Sequence, residues 1–114
     1  MSYEQQFLYS LLLTLIIEIP IVFIFVRYVY GRKEMVASRI IFIGIIASAL
    51  TLPYLWFILP AYILNRSVYI VLGEILVTII EAIVYHQLLK LKLLEAIIVS
   101  LAANLASFLL GMLL

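Results

Sequence analysis

Cysteine and aspartate are absent from this chain, histidine occurs once, at His86, and four glycines and three prolines are all that punctuate its 114 residues. Without cysteine there are no disulfides and no thiolate chemistry, and one histidine without aspartate leaves no ordinary zinc ligand set. No metal and no other cofactor is expected. Charge is also scarce, at 11% of residues, and the seven Lys/Arg and six Glu nearly cancel. Basic residues interleaved with aromatics do not cluster, which excludes a nucleic-acid surface. Catalysis lacks its materials as well: no nucleophile, metal site or acid/base pair falls where water would reach it, so the chain is expected not to be an enzyme.

Apolar residues, by contrast, make up 68% of the chain, where a soluble domain has about half. A chain this short has too little interior to hide them all, so lipid must cover much of the surface. The N-terminal "MSYEQQFLYS" carries an acidic residue where a cleavable signal would carry basic ones, and no small-residue cleavage site follows. It is read as retained in the mature protein.

A bilayer core about 30 Å thick needs roughly 20 apolar residues as helix. Four segments of that kind can be marked off, at Phe7 to Val29, Ile40 to Leu59, Val68 to Leu89 and Leu93 to Leu114. The breaks "RYVYGRKEMVASR", "PAYILNR" and "HQLLKLKLLE" supply charge, Gly or Pro where a helix would stop. Continuous rather than alternating apolar runs exclude a β-barrel. The expected fold is all-α: one domain, an integral membrane four-helix bundle in up-down-up-down order, as such short connections require.

Orientation follows from the basic residues. Arg27, Arg32, Lys33 and Arg39 fall in the first connection and Lys90 and Lys92 in the third, against Arg66 alone in the second. That imbalance places both termini outside, in a multi-pass protein of the cell (plasma) membrane. Tyr3, Tyr9, Trp56, Tyr62 and Tyr69 are then expected at the outer interface and Tyr28, Tyr30 and Tyr85 at the inner one, an aromatic belt. The basic residues around Gly31 are expected to set orientation rather than bind headgroups. Trp56 is expected to anchor the interface and His86 to sit at a solvated helix end.

Glutamate nevertheless interrupts the oil. "LLLTLIIEIPIVF" carries Glu18 and "ILVTIIEAIVY" carries Glu81, and both contain Thr-Ile-Ile-Glu or its near copy Thr-Leu-Ile-Ile-Glu. Counted along their segments, Glu18, Thr51, Glu81 and Asn104 all fall near the middle. Four hydrogen-bonding side chains are therefore expected in one midplane layer. The recurrence, with "ALTLPYLWFIL" and "AANLASFLLGM" following, suggests a tandem repeat of two helix hairpins. Polar and small residues also recur at three- and four-residue intervals: Ser10, Thr14 and Glu18; Gly44, Ser48 and Thr51; Glu74, Thr78, Glu81 and Tyr85; Ser100, Asn104, Ser107 and Gly111. Such spacing gives one face per helix, and small residues let helices approach closely in lipid. Ser100, Ser107 and Gly111 are expected to pack the fourth helix against the third.

Two readings of the carboxylates arise, and the structural one is the expectation. An ionised carboxylate at the bilayer centre costs about 2.5 to 3.5 kcal/mol, so the neutral form is cheaper and could act as hydrogen-bonding glue, with Pro20 and Pro53 as kinks. On that reading the chain is a non-catalytic structural or accessory component of a membrane assembly, partnered by the bilayer and by further copies or other membrane subunits. One interhelical hydrogen bond yields only about 0.6 kcal/mol on average, a small return for two midplane carboxylates. The alternative is a small proton- or cation-coupled transporter using Glu18 and Glu81. Glu74, Thr78 and Tyr85 would then form an access relay along the third helix.

"TLIIEIP", "TLPYLWFILP" and "GEILVTIIEAIVYHQLL…EAIIVSLAANLASFLLGMLL" together resemble a group of small, uncharacterised four-span prokaryotic membrane proteins. The matching positions are Glu18, Pro20, Thr51, Pro53, Trp56, Glu74, Glu81, Tyr85, Asn104, Ser107 and Gly111. Members often carry Asn and His around the Thr-x-Pro of the second span; here Ala47, Ser48 and Leu52 take that place. The resemblance implies the four-span architecture and no activity. Small multidrug resistance exporters are similar in span number and in a first-helix glutamate. Their glycine-rich third helix has no counterpart in "VLGEILVTIIEAIVY", so proton-coupled export is analogy only.

Overall fold

The computed structural model describes residues 2–113, so the expected end of the fourth span, Leu114, lies outside the described residues. Those residues form helices and connections, with no strand among them. Helix α1 (Tyr3–Ile24) runs on into a π-helical turn, Phe25–Val29. Helix α2 (Ala37–Pro53) continues through a second π-helical turn, Tyr54–Ile58, into the short α3 (Leu59–Tyr62). Helices α4 (Arg66–Leu88) and α5 (Leu93–Leu113) complete the chain. Four stretches are long and apolar enough to cross a membrane: Tyr3–Val29, Ala37–Tyr62, Arg66–Leu88 and Leu93–Met112. The chain is a multi-pass membrane protein built as a helical bundle.

Local chemistry fixes where the helices begin and end. α1 starts at Tyr3, ahead of the apolar run, because Ser2 and Gln5 form a capping box in which each side chain takes the other's backbone N–H. Asn65 caps α4 by accepting from the Val68 N–H. Gly31 and Lys90, both at positive φ, turn the chain out of α1 and α4.

Prolines shape the rest. Pro20 lies inside α1, and the helix widens to i→i+5 bonding one turn later, with Tyr30 N–H donating to Phe25 O at 2.8 Å. Past Pro53 the same widening has a visible cost. Pro60 has no N–H, so the carbonyls of this turn have one backbone donor fewer. Two tyrosine hydroxyls replace it: Tyr69 donates to Leu55 O and Tyr3 to Trp56 O. Tyr3 also packs on Trp56, with ring centroids 5.1 Å apart. Tyr3, Trp56 and Tyr69 therefore tie α1, the end of α2 and the start of α4 together.

The long helices close a ring in which α1 touches α2 and α5, and α4 touches α2 and α5. Its interior changes character along the bundle. Towards the end that holds the first and third connections it is dry and packed, with Val22, Val26, Ile40, Tyr85, Leu89 and Val99 all fully buried. Tyr85, expected at an interface, is instead 0% exposed within this core, because it lies on the buried Gly73, Val77, Glu81 stripe at four-residue spacing.

Polar clasps hold that end shut. Arg32 pairs with Glu95 at 2.8 Å, the Tyr30 hydroxyl donates to Glu95 O at 3.0 Å, and Arg39 donates to Leu88 O at 3.1 Å. Arg27 lies over the Phe23 ring, 5.3 Å from its centroid, and donates to Met35 O at 2.9 Å. His86, expected at a solvated helix end, is half-buried with Nδ1 2.7 Å from Leu91 O. The imidazole braces the turn between α4 and α5.

Candidate functional site: a buried acidic pair under a polar cavity

Glu81 is the hub of the buried polar layer. Its side of α4 meets α5 and α2 together, and it is only 1% exposed. Asn104 Nδ2 donates to its Oε1 at 2.7 Å, and Thr51 Oγ1 to its Oε2 at 3.2 Å. Asn104 also donates to Ser100 O at 2.8 Å, and Ser100 Oγ donates across the interface to Thr78 O at 2.7 Å. The single hydroxyl hydrogen of Thr51 is shared with Ala47 O at 2.9 Å, one turn earlier in its own helix. Both oxygens of Glu81 are satisfied, and three helices are sewn together at one level.

Glu18 stands opposite and is served differently. Its carboxyl lies beside the Ser107 hydroxyl and the Glu81 carboxyl. It is 4% exposed, yet its Oε1 has no hydrogen-bond partner among the described residues. Buried polar atoms are rarely left so, and an exception points to strain, function or an exchangeable occupant. Ser48 Oγ, on α2, is orphaned in the same way.

Above Glu18 the interior is hollow. A cavity of about 610 Å³ extends from Glu18 and Asn104 to the exposed Gln6, Arg66 and Met112 at the opposite end of the bundle from the clasps. Volumes of roughly 300 to 1,000 Å³ are usual for small-molecule sites. Ser10, Thr14 and Glu18 descend one wall at four-residue spacing, Glu74 stands on another, and Ser107 and Gly111 on a third. Among the ionisable acids and bases on these walls, Glu18 and Glu74 outnumber Arg66. No group of three or more His or Glu side chains suited to hold a metal ion occurs among the described residues.

The structure brings Glu18, Thr51, Glu81 and Asn104 into one layer, with Ser100 and Ser107 at its edge. It separates the remaining candidates. Glu74 and Thr78 are half-buried and flank the layer rather than continue it, whereas Tyr85 lies beyond it in the dry core. Gly111 is no packing contact: a Cβ there would meet nothing within 4 Å, since the residue opens on the cavity. Close approach is made instead at Gly73, against Leu55, and at Gly44, where a Cβ would stand 3.0 Å from Ile19 Cγ1. Gly73 interrupts the apolar run of α4 and could have been noticed there. Gln6 and Arg66, at the cavity mouth, gave no signal, because single polar residues at helix starts are commonplace.

Trp56 is half-buried, and one side of it lines the cavity. Compared with family models, curated proteins and solved structures, the chain matches none of the three.

Proposed function

We propose that this is a small proton- or cation-coupled transporter of the plasma membrane, not an enzyme, in which Glu18 and Glu81 form the ion or proton site. The observation that carries this reading is the cavity of about 610 Å³ that runs into the bundle and ends on Glu18, a buried carboxyl beside Ser107 and the Glu81 carboxyl. Intramembrane ionisable groups facing a cavity are the usual equipment of ion and proton pathways.

The basic residues favour an up-down-up-down bundle with both termini outside. The cavity then opens outward, and the packed core between Val22 and Leu89 closes the inner side. This is one half of an alternating-access cycle. The Arg32–Glu95 and Arg39–Leu88 clasps are the contacts to be broken in the other half.

A second reading is favoured by the Thr51–Glu81–Asn104 network itself. Its saturated hydrogen bonding suits a scaffold that holds helices together for other subunits or further copies of the chain. Purified protein in liposomes separates the two. Transport requires cation or proton uptake that is lost in Glu18→Gln while the helical fold is kept. Uptake no greater than that of empty liposomes, for the native chain, leaves the assembly component as the function.

A further inference from the structure

The hydrogens of the buried layer can be followed one by one. Ser100 Oγ lies 2.7 Å from Thr78 O, a carbonyl that only accepts, so its hydrogen is spent there. Asn104 Nδ2 lies 2.8 Å from Ser100 O and 2.7 Å from Glu81 Oε1. The Ser100 carbonyl again only accepts, which fixes the amide with its nitrogen, not its oxygen, towards both groups. One Asn104 hydrogen goes to Ser100 O and the other to Glu81 Oε1.

Thr51 has a single hydrogen, and its hydroxyl lies 2.9 Å from Ala47 O, 3.2 Å from Glu81 Oε2 and 3.4 Å from Ser48 O. The nearest of these, the carbonyl one turn back, is the usual acceptor of a helical threonine. With the hydrogen there, Oγ1 turns its lone pairs to Glu81 Oε2, and the contact lacks a hydrogen unless the carboxyl supplies it. An ionised Glu81 would set two acceptors against each other. It would also stand uncompensated within the bilayer, which is costly. Glu18 faces it from α1, Thr51 from α2, Asn104 from α5, and Glu74 and Tyr85 are its neighbours on α4; none of these described groups is a cation. A hard metal cation takes oxygen ligands, whereas Asn104 turns N–H to this site.

We propose that the ion held here is a proton, carried on Glu81 Oε2 and donated to Thr51 Oγ1, and that Thr51 is the residue that positions it. Release breaks the Oε2–H bond. The proton passes to the neighbouring Glu18 carboxyl when that group is ionised, and from there to water in the cavity that ends on it. Thr51 then swings its hydrogen from Ala47 O to the carboxylate left behind, so one hydroxyl serves both states. That the proton travels rests on the transport reading above. Its place on Oε2 does not.

The test is infrared difference spectroscopy of the full-length chain in lipid nanodiscs at neutral pH, with Glu81→Gln to assign the band. Gln keeps the pattern, its carbonyl accepting from Asn104 and its amide donating to Thr51, so this variant should fold. The native chain should show a protonated carboxyl band that Glu81→Gln removes and that added sodium or potassium chloride leaves unchanged at fixed pH. Thr51→Val, of similar shape, should move this band to higher frequency, as a carboxyl hydrogen without an acceptor does, and Thr51→Ser should keep it at the native position. An ionised Glu81, loss of protonated carboxyl intensity on adding either salt, or a band indifferent to Thr51→Val overturns the proposal. The salt series needs only the native chain, so exchange of the proton for a metal cation is read even where a variant does not fold.

Uptake by liposomes is read in parallel. Glu18-dependent uptake with an ionised Glu81 removes the proton from Oε2 and keeps the transporter. A protonated, Thr51-sensitive Glu81 without Glu18-dependent uptake keeps the proton assignment and removes the transporter.

Discussion

Asn104 holds Glu81 at 2.7 Å across the α4–α5 interface, and neither residue has an apolar substitute that would leave its neighbours satisfied. Removing the acceptor strands one N–H of the Asn104 amide in a buried layer, while Thr51 keeps Ala47 O and the other Asn104 N–H keeps Ser100 O. Glu81→Ala should therefore destabilise the bundle by about 1–3 kcal/mol. Glu81→Gln, which keeps one acceptor oxygen, should cost less. A double-mutant cycle with Asn104→Ala, read by unfolding in mixed micelles, should return a coupling of about 0.6 to 1.7 kcal/mol. Additive single effects would mean that the bond contributes no stability.

The absence of cysteine makes the chain its own background for accessibility mapping. Single cysteines at Ser10, Thr14, Ser107 and Gly111 face the cavity or its rim, whereas Val22, Val26 and Val99 are sealed in the apolar core. A membrane-impermeant maleimide added outside should label the first set in intact cells and leave the second unmodified. Thr14, at 8% exposure, should react most slowly of the first four. Labelling only after the membrane is opened would reverse the orientation proposed from the basic residues, and no labelling at Ser107 would mean that water does not enter the cavity.

The layer was legible because midplane position is a matter of counting: helices of similar length bring their centres level, and Glu18, Thr51, Glu81 and Asn104 are central in theirs. The four spanning segments were legible for the same reason, since length and hydropathy suffice. What counting could not supply was rotation. Tyr85 and Tyr28 are both inner-end tyrosines in sequence, yet Tyr28 is 72% exposed and Tyr85 fully buried, a difference set by which face of each helix meets its neighbour. The cavity was hidden for a related reason. It arises where side chains fail to fill the ring, and an unfilled space depends on four helices at once rather than on any one spacing.

Small residues illustrate the same limit in a form that can be tested. Gly111 and Gly73 look alike in sequence, yet only Gly73 is pressed by a neighbour, Leu55. Gly73→Ala should lower stability by about 1–3 kcal/mol through overpacking, and Leu55→Ala should restore part of the loss by making room. Gly111→Ala should be neutral or stabilising by up to about 1 kcal/mol, through the helix propensity gained. Thermal unfolding of these variants in one detergent checks the ordering. An equal gain at both glycines would mean that propensity rather than packing dominates.

The tyrosine replacements for the missing Pro60 donor lead to a prediction in which two defects cancel. Tyr69→Phe leaves Leu55 O without a donor, and Tyr3→Phe does the same to Trp56 O. Tyr3 is exposed at this end of the bundle, so water can take over its bond to Trp56 O; Tyr69→Phe should cost about 1–3 kcal/mol and Tyr3→Phe less. Pro60→Ala restores the one backbone N–H that this turn lacks. In that background one carbonyl regains an intrahelical donor, so at least one of the two tyrosine substitutions should become nearly silent. Hydrogen exchange of the backbone amide that Pro60→Ala introduces, slow if the bond has formed, reports directly that a carbonyl was recovered. Undiminished cost for both tyrosines in the Pro60→Ala background would show that their hydroxyls stabilise the bundle by some other contact, and that the widened turn after Pro53 is set by Pro53 alone.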